Sequence, residues 1–215
     1  QRCSALRVLF LQEDVADKIL DMLRGAMAEL RIGNPAEIST DIGPVIDLAA
    51  LNMLQQHRQR MIREAKLLAA CELPGEQSKG YFFAPEVYEI TNLKQLPAEV
   101  FGPILHVIRY PSQELDQVID DINASGFGLT LGVHSRIDGF AQHIFTQTRI
   151  GNTYINRNMV GAVVGVNPFG GQGLSGTGPK AGGPHYLQRF AGEKTLTENT
   201  VARGGNAQLF SLDDR

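Results

Sequence analysis

Ala5-Leu-Arg-Val-Leu-Phe-Leu11 is followed by Asp14 and then by apolar residues at Val15, Ile19, Leu23, Ala26 and Leu30, with Gly33 closing the run. The first stretch is apolar and short, as a buried strand is. The second repeats at helical spacing behind a residue that caps helices well. This strand-then-helix unit decides the fold class, because the same rhythm continues along the chain. Asp47 precedes a second helical pattern through Leu48, Leu51, Leu54, Ile62 and Ala65. Strand patterns occupy 66–71, 85–90 and 104–110, around a turn at 74–80 and a loop holding Pro97 and Gly102-Pro103. Ser112 stands before a helix through Leu115, Val118, Ile119 and Ile122 that ends at Gly126. Residues 129–135 read as a strand, 138–148 as a helix and 151–156 as a strand. The rhythm predicts an α/β domain with a largely parallel sheet flanked by helices. The end differs: 193–202 is Thr-rich and extended, Gly204-Gly205 turns, and 207–212 can pair back. A β-hairpin tail is expected there. It has little of its own to bury, so its natural partner is a second subunit.

Composition narrows the function classes. The chain has 215 residues, 43% of them hydrophobic and 20% charged, with net charge −3. These values suit one domain with a full core. There is no basic surplus for nucleic acid. The longest apolar and glycine run, 159–166, is too short to cross a bilayer. Two cysteines, Cys3 and Cys71, make no disulfide framework, so a reducing, cytoplasmic compartment is expected. The chain starts at Gln1 and enters a strand pattern almost at once. That reads as the C-terminal portion of a longer protein, or as a boundary chosen at a domain edge.

Residues 168–184 read Pro-Phe-Gly-Gly-Gln-Gly-Leu-Ser-Gly-Thr-Gly-Pro-Lys-Ala-Gly-Gly-Pro, with seven glycines and three prolines. Such a segment forms a shaped loop whose bare amides can approach a ligand. Gly171-Gln-Gly173-Leu-Ser-Gly176 matches a dinucleotide fingerprint by letter only, since no strand leads in and no helix can start among the glycines and prolines that follow. Cys3, beside Arg2 and just before a strand, is a candidate nucleophile. A lone cysteine is more often a small buried hydrophobe, and Cys71, after Leu67-Leu-Ala-Ala70, reads that way. Glu99 and Phe101 stand two apart in Pro97-Ala-Glu-Val-Phe-Gly-Pro103, so in extended chain they share a side. A carboxylate can hold a ribose hydroxyl pair while a ring packs on a flat cofactor ring. A solvated acid beside a core ring is the plainer reading of the same spacing. The five histidines show no metal-ligand spacing, and no metal site is expected.

In this order, Gln1-Arg-Cys3, Glu99-Val-Phe101-Gly-Pro103 and Pro168-Phe-Gly-Gly171 with Leu174-Ser-Gly176 resemble the aldehyde dehydrogenase superfamily across essentially the whole chain. Ser4 after the cysteine, the loop from Gly176 to Leu187 and the Thr195-to-Ala207 ending resemble its L-glutamate γ-semialdehyde (1-pyrroline-5-carboxylate) dehydrogenase branch. Within that branch they look like the dehydrogenase module of bacterial bifunctional proline-catabolic enzymes. The resemblance implies residues 1–190 as a catalytic-domain portion, with 168–184 as a substrate-anchor loop and 191–215 as a hairpin oligomerisation flap supporting a dimer. It implies Cys3 as the nucleophile on the aldehyde and NAD as the hydride acceptor. Glu99 would hold the nicotinamide-side ribose, and Phe101 would pack near the nicotinamide. Ser4 and the amides of Gly182 and Gly183 would anchor the substrate carboxylate, with Phe190 on its methylene chain. The family's general base, second oxyanion donor and dinucleotide-binding domain precede its cysteine. This segment alone is therefore expected to be inactive, and FAD is expected only in a separate proline dehydrogenase domain upstream. Two alternatives stand beside this reading: another aldehyde dehydrogenase for a carboxylate-bearing aldehyde, and a non-catalytic assembly module of the same fold.

Overall fold

The structure is a computed structural model and describes residues 1–73, 75, 80–163, 165–199, 202 and 204. Its centre is a four-stranded sheet in the order β1-β4-β3-β2. The strands are β1 (Val8–Gln12), β2 (Lys66–Ala70), β3 (Glu86–Glu89) and β4 (Ile104–Tyr110). β1 and β3 both pair parallel with β4, while β2 pairs antiparallel with β3 at the edge. The expected parallel sheet is present, with one antiparallel edge strand. Two helices, α1 (Glu13–Ala28) and α2 (Leu48–Glu64), follow from the sequence signals.

Alternation along the strands builds two cores. Ile104 and Ile108 of β4, with Tyr88 of β3, turn to the side where Leu54 and Met61 of α2 pack. Val107 and Val87 turn to the other side, against Ala16, Leu20 and Met27 of α1. Period-two strands dressed by a helix on each face are what buries a central sheet. Each Val, Leu, Ile and Met among these contributes roughly 1.5–3 kcal/mol on burial. The buried Glu86 carboxylate is matched from the α2 side, by Arg58 Nε at 2.8 Å, and accepts from Tyr88 Oη at 2.6 Å. Cys71 packs at the edge of the α1 core, donates to the Met27 carbonyl at 3.4 Å, and has its thiol pKa pushed up by burial.

The helix faces differ from the pattern read in the sequence. α1 buries Ala16, Leu20 and Met27, whereas Val15 and Ile19 are exposed. The buried stripe is therefore turned one residue from the expected one. α1 also starts directly from β1 with Gln12 at its N-cap, so Asp14 lies inside the first turn. α2 is capped by Asp47 as expected, its Oδ1 accepting from Ala50 N at 2.8 Å, but it buries Leu54, His57 and Met61 and leaves Leu48 and Ile62 exposed. Ser112 opens a 3-10 turn (Ser112–Glu114) ahead of α3 (Leu115–Ala124) rather than capping it.

A second layer follows the sheet. β6 (Thr130–Val133) and β7 (Asn152–Ile155) pair parallel, joined through α4 (Asp138–Gln147). Their core is Ile119, Val133, Ala141 and Ile144. β5 (Phe127–Gly128) and β8 (Gln172–Gly173) form a short antiparallel pair that ties the glycine-rich loop to this layer. Residues 193–199 are exposed and carry no regular element. The expected return strand at 207–212 lies outside the described residues, as does Gly205, and so does nearly all of the turn at 74–80. No described helix is long and apolar enough to cross a membrane.

Candidate active site

Cys3 is exposed, in a turn closed by Ala5 N donating to the Arg2 carbonyl at 3.0 Å. Its neighbour Ser4 is buried. The thiol therefore faces outward from a well-placed backbone, which removes the buried-hydrophobe reading for Cys3. Ser4 Oγ has no hydrogen-bond partner among the described residues. Its carbonyl lies 3.5 Å from Thr130 Oγ1, a donor at the start of β6.

Four residues beyond the thiol, Arg7 gathers the first half of the site. Its Nη2 donates to the Arg2 carbonyl at 3.1 Å. Its Nε lies 3.5 Å from Glu99 Oε1, and its guanidinium carbon sits 4.3 Å above the Phe101 ring. The Arg7 side chain is mostly covered, while Glu99 and Phe101 are about half exposed. A guanidinium stacks and forks in this way more readily than an ammonium. The structure thus brings the thiol turn, Glu99 and Phe101 together through one side chain.

Below Arg7 lies a pair of buried imidazoles. His57 Nε2 and His106 Nε2 are 2.8 Å apart, and His106 Nδ1 is 3.4 Å from the Arg7 carbonyl. A carbonyl only accepts, so His106 carries its proton on Nδ1. Its Nε2 then accepts, and His57 Nε2 donates. Burial pushes both pKa values down to about 4, helped for His57 by the charge of His106 and for both by Arg60. Both rings are neutral at ordinary pH.

The glycine-rich loop forms the second half, and it is held mainly through its backbone. Asn152 of β7 donates to the Pro168 carbonyl at 2.9 Å and accepts from Gly170 N at 3.2 Å. Phe169 and Ala181 bridge antiparallel, each amide bonded to the other's carbonyl. Lys180 Nζ donates to the Gly151 carbonyl. A Cβ on Gly151 would overlap the Gly170 carbonyl oxygen, so loop and β7 touch backbone to backbone. Gly176 is followed by turns and a bridge, and the next helical element is a single 3-10 turn, Leu187–Phe190. Gly182 has φ +69°, a conformation glycine adopts freely. Its amide has no partner among the described residues, whereas Gly183 N donates to the Lys180 carbonyl at 3.1 Å. Phe190 is largely exposed and meets Tyr186 edge-on at 5.5 Å.

The two halves are joined through the second layer. Thr130 reaches the Ser4 carbonyl and is the register partner of Asn152, which holds the loop. No hydrogen bond, ion pair or ring contact links Cys3 directly to Gly182, Gly183 or Phe190 among the described residues. Arg7, Thr130 and Asn152 were not singled out from the sequence. Their one local signal is a polar side chain inside or beside an otherwise apolar strand.

The aldehyde dehydrogenase family profile matches residues 1–196. The chain belongs to the aldehyde dehydrogenase family. Among the relatives of this aldehyde dehydrogenase chain is the bifunctional protein PutA of Klebsiella aerogenes, 54% identical over 99% of the chain and 17% of the relative. A solved variant of Bradyrhizobium japonicum proline utilization A superposes with a TM-score of 0.87 at 57% identity, over 95% of this chain and 21% of that one. A 1-pyrroline-5-carboxylate dehydrogenase from Thermus, solved with bound NAD, superposes with a TM-score of 0.80 at 34% identity, over 88% of this chain and 36% of that one. The chain thus spans about a sixth of the length of the PutA relative it matches.

Proposed function

We propose that this chain is the thiol-bearing part of an NAD-dependent dehydrogenase that oxidises L-glutamate γ-semialdehyde to L-glutamate, within a longer bifunctional protein of proline catabolism. The observation that carries the reading is the exposed Cys3 in a turn tied by Arg7 to Glu99 and Phe101, in a chain so similar to PutA.

Cys3 Sγ attacks the aldehyde carbon and forms a thiohemiacetal, with the Cys3 amide as one donor to the developing oxyanion. Oxidation leaves a thioester on the same sulfur, and water releases L-glutamate. NAD, when bound, supplies the hydride-accepting chemistry. A half-exposed carboxylate and a half-exposed ring held by one guanidinium fit a ribose and a flat ring. Glu99 would hold the ribose, and Phe101 would pack near the nicotinamide.

The substrate carboxylate is anchored by the Ser4 hydroxyl and the bare amides of Gly182 and Gly183, since oriented amides favour an anion. The Gly182 amide is open for this role, and the Gly183 amide exchanges or shares its bond to Lys180. Phe190 covers the methylene chain. Residues 191–215 pair with a second subunit as an oligomerisation flap, and a flavin belongs to a separate proline dehydrogenase unit of the longer protein.

Cys3→Ala in the full-length protein abolishes NADH formation with L-glutamate γ-semialdehyde; persistent NADH would sink the reading. Ser4→Ala raises KM for the semialdehyde more than for propanal. Equal losses on both aldehydes would take Ser4 out of the carboxylate site.

A further inference from the structure

The Arg7 side chain touches both the thiol turn and the Glu99-Phe101 loop. We infer that Arg7 is a positioning residue that couples the place of the reactive thiol to occupancy of the cofactor site. The inference rests on the function proposed above.

Three contacts carry it. The hydrogen bond from Nη2 to the Arg2 carbonyl fixes the peptide just before Cys3. The stack on Phe101, with the guanidinium carbon 4.3 Å from the ring centre, fixes the ring from the protein side. The ion pair with Glu99 joins the two, yet it is held at 3.5 Å, and the buried Arg7 Nε has no hydrogen-bond partner among the described residues. A buried N–H that lacks a partner costs free energy, and a carboxylate drawn closer would satisfy it. A ligand that engages Glu99 and Phe101 therefore acts on the same guanidinium that holds the Arg2 carbonyl.

The frame around Arg7 is stiff, which lets the signal pass. The Arg7 carbonyl accepts from His106 N at 3.1 Å and faces His106 Nδ1 at 3.4 Å. Its backbone is therefore held by β4, and only its side chain is free to respond. Lysine would keep the charge near Glu99. It would lose the planar stack on Phe101 and could not serve the Arg2 carbonyl and Glu99 with one fork.

The test uses the full-length protein and two readouts: the dissociation constant for NAD, and the rate of Cys3 alkylation by iodoacetamide with and without saturating NAD. In the parent protein NAD changes the alkylation rate. In Arg7→Met that NAD-dependent change disappears and NAD binds about tenfold more weakly. In a Glu99→Gln background, Arg7→Met costs less than threefold, because the coupled pair is already broken. Arg7→Lys falls between. A parental NAD affinity together with a parental NAD effect on alkylation in Arg7→Met would overturn the inference. Strictly additive losses with Glu99→Gln would do the same. Should Arg7→Met lower the melting temperature sharply, Arg7→Lys decides: parental values for both readouts overturn the inference, and intermediate values support it. A Cys3→Ala protein that still forms NADH would instead remove the proposed function and leave the NAD-binding results to be read alone.

Discussion

The two halves of the site are built by different means. Around Cys3, side chains do the holding: Arg7 reaches a carbonyl, a carboxylate and a ring, over two neutral imidazoles. Around Gly182, the backbone does most of it: amides and carbonyls of the loop meet Asn152 and the backbone of β5, and the loop's Lys180 reaches out to the Gly151 carbonyl. The first half sits on a sheet packed on both faces, and the second on a thinner layer with a small core. A nucleophile needs a fixed position with a free face, which a strand end provides. The anion site proposed at Gly182 needs bare amides, which a glycine-rich loop supplies, and such a loop has few side chains of its own to hold it.

The largest break in this comparison is Gly151→Ala. The added methyl overlaps the Gly170 carbonyl, so loop and strand must part, at a cost of about 1–3 kcal/mol or more. In the full-length protein we expect the melting transition of the dehydrogenase unit to fall by several degrees and turnover of the semialdehyde to be lost. An unchanged melt would show that the loop is not seated on β7 as described. Asn152→Ala comes next. It strips partners from both the Pro168 carbonyl and the Gly170 amide, with an expected loss of about 1–3 kcal/mol. KM for the semialdehyde should rise well above its rise in NAD, and equal rises would contradict a separate, backbone-built half.

The third break addresses the sheet half through pH. His57 and His106 have folded pKa values lowered from the ordinary 6.5 to about 4. Between these values the unfolded chain binds more protons than the folded one, so stability rises with pH there. The contribution is complete above about 6.5 and is lost as pH falls toward 4. We expect a slope of about 2 kcal/mol per pH unit in denaturant titrations between pH 6.5 and 4.5, about half from each imidazole, reduced in His57→Gln. Identical slopes in the two proteins would remove the imidazole pair as its source. The smallest effect is expected from Arg189→Ala. Arg189 donates to the Gly178 carbonyl at 2.6 Å and to Thr177 Oγ1 at 3.2 Å, both in exposed surroundings. Exposed contacts of this kind contribute about 0.5–1 kcal/mol, and a loss above 2 kcal/mol would mean the outer end of the loop is held more firmly than its contacts indicate.

Much of this was legible in the residues. β3, β4, β6 and β7 lie where apolar runs placed them, because a buried strand is recognised by its own composition. Asp47 was legible because a cap is a local bond. The buried faces of α1 and α2 were not. α1 carries adjacent apolar stripes, Val15 and Ile19 beside Ala16 and Leu20, and only the sheet decides which one is covered. Cys3, Glu99 and Phe101 were named by order along the chain, but their joint anchor was missed. Arg7 and Glu99 stand 92 residues apart, and no period or spacing connects them. His57 and His106 were missed for the same reason: His57 sits in the polar run Gln55-Gln-His-Arg-Gln-Arg60 and His106 in an apolar strand, and the pair has meaning only once β4 lies under α2.

Asn152 uses its amide both ways, giving a hydrogen to Pro168 and taking one from Gly170. An aspartate of the same shape keeps the acceptor and turns the donor into a second oxygen facing a carbonyl. Hydrolysis of that one side-chain amide, a slow ageing reaction open to any asparagine, would therefore repel the loop from its strand without any change in the gene. On the function proposed above, a stored preparation would lose its grip on acid-bearing aldehydes while its thiol and its sheet remained intact.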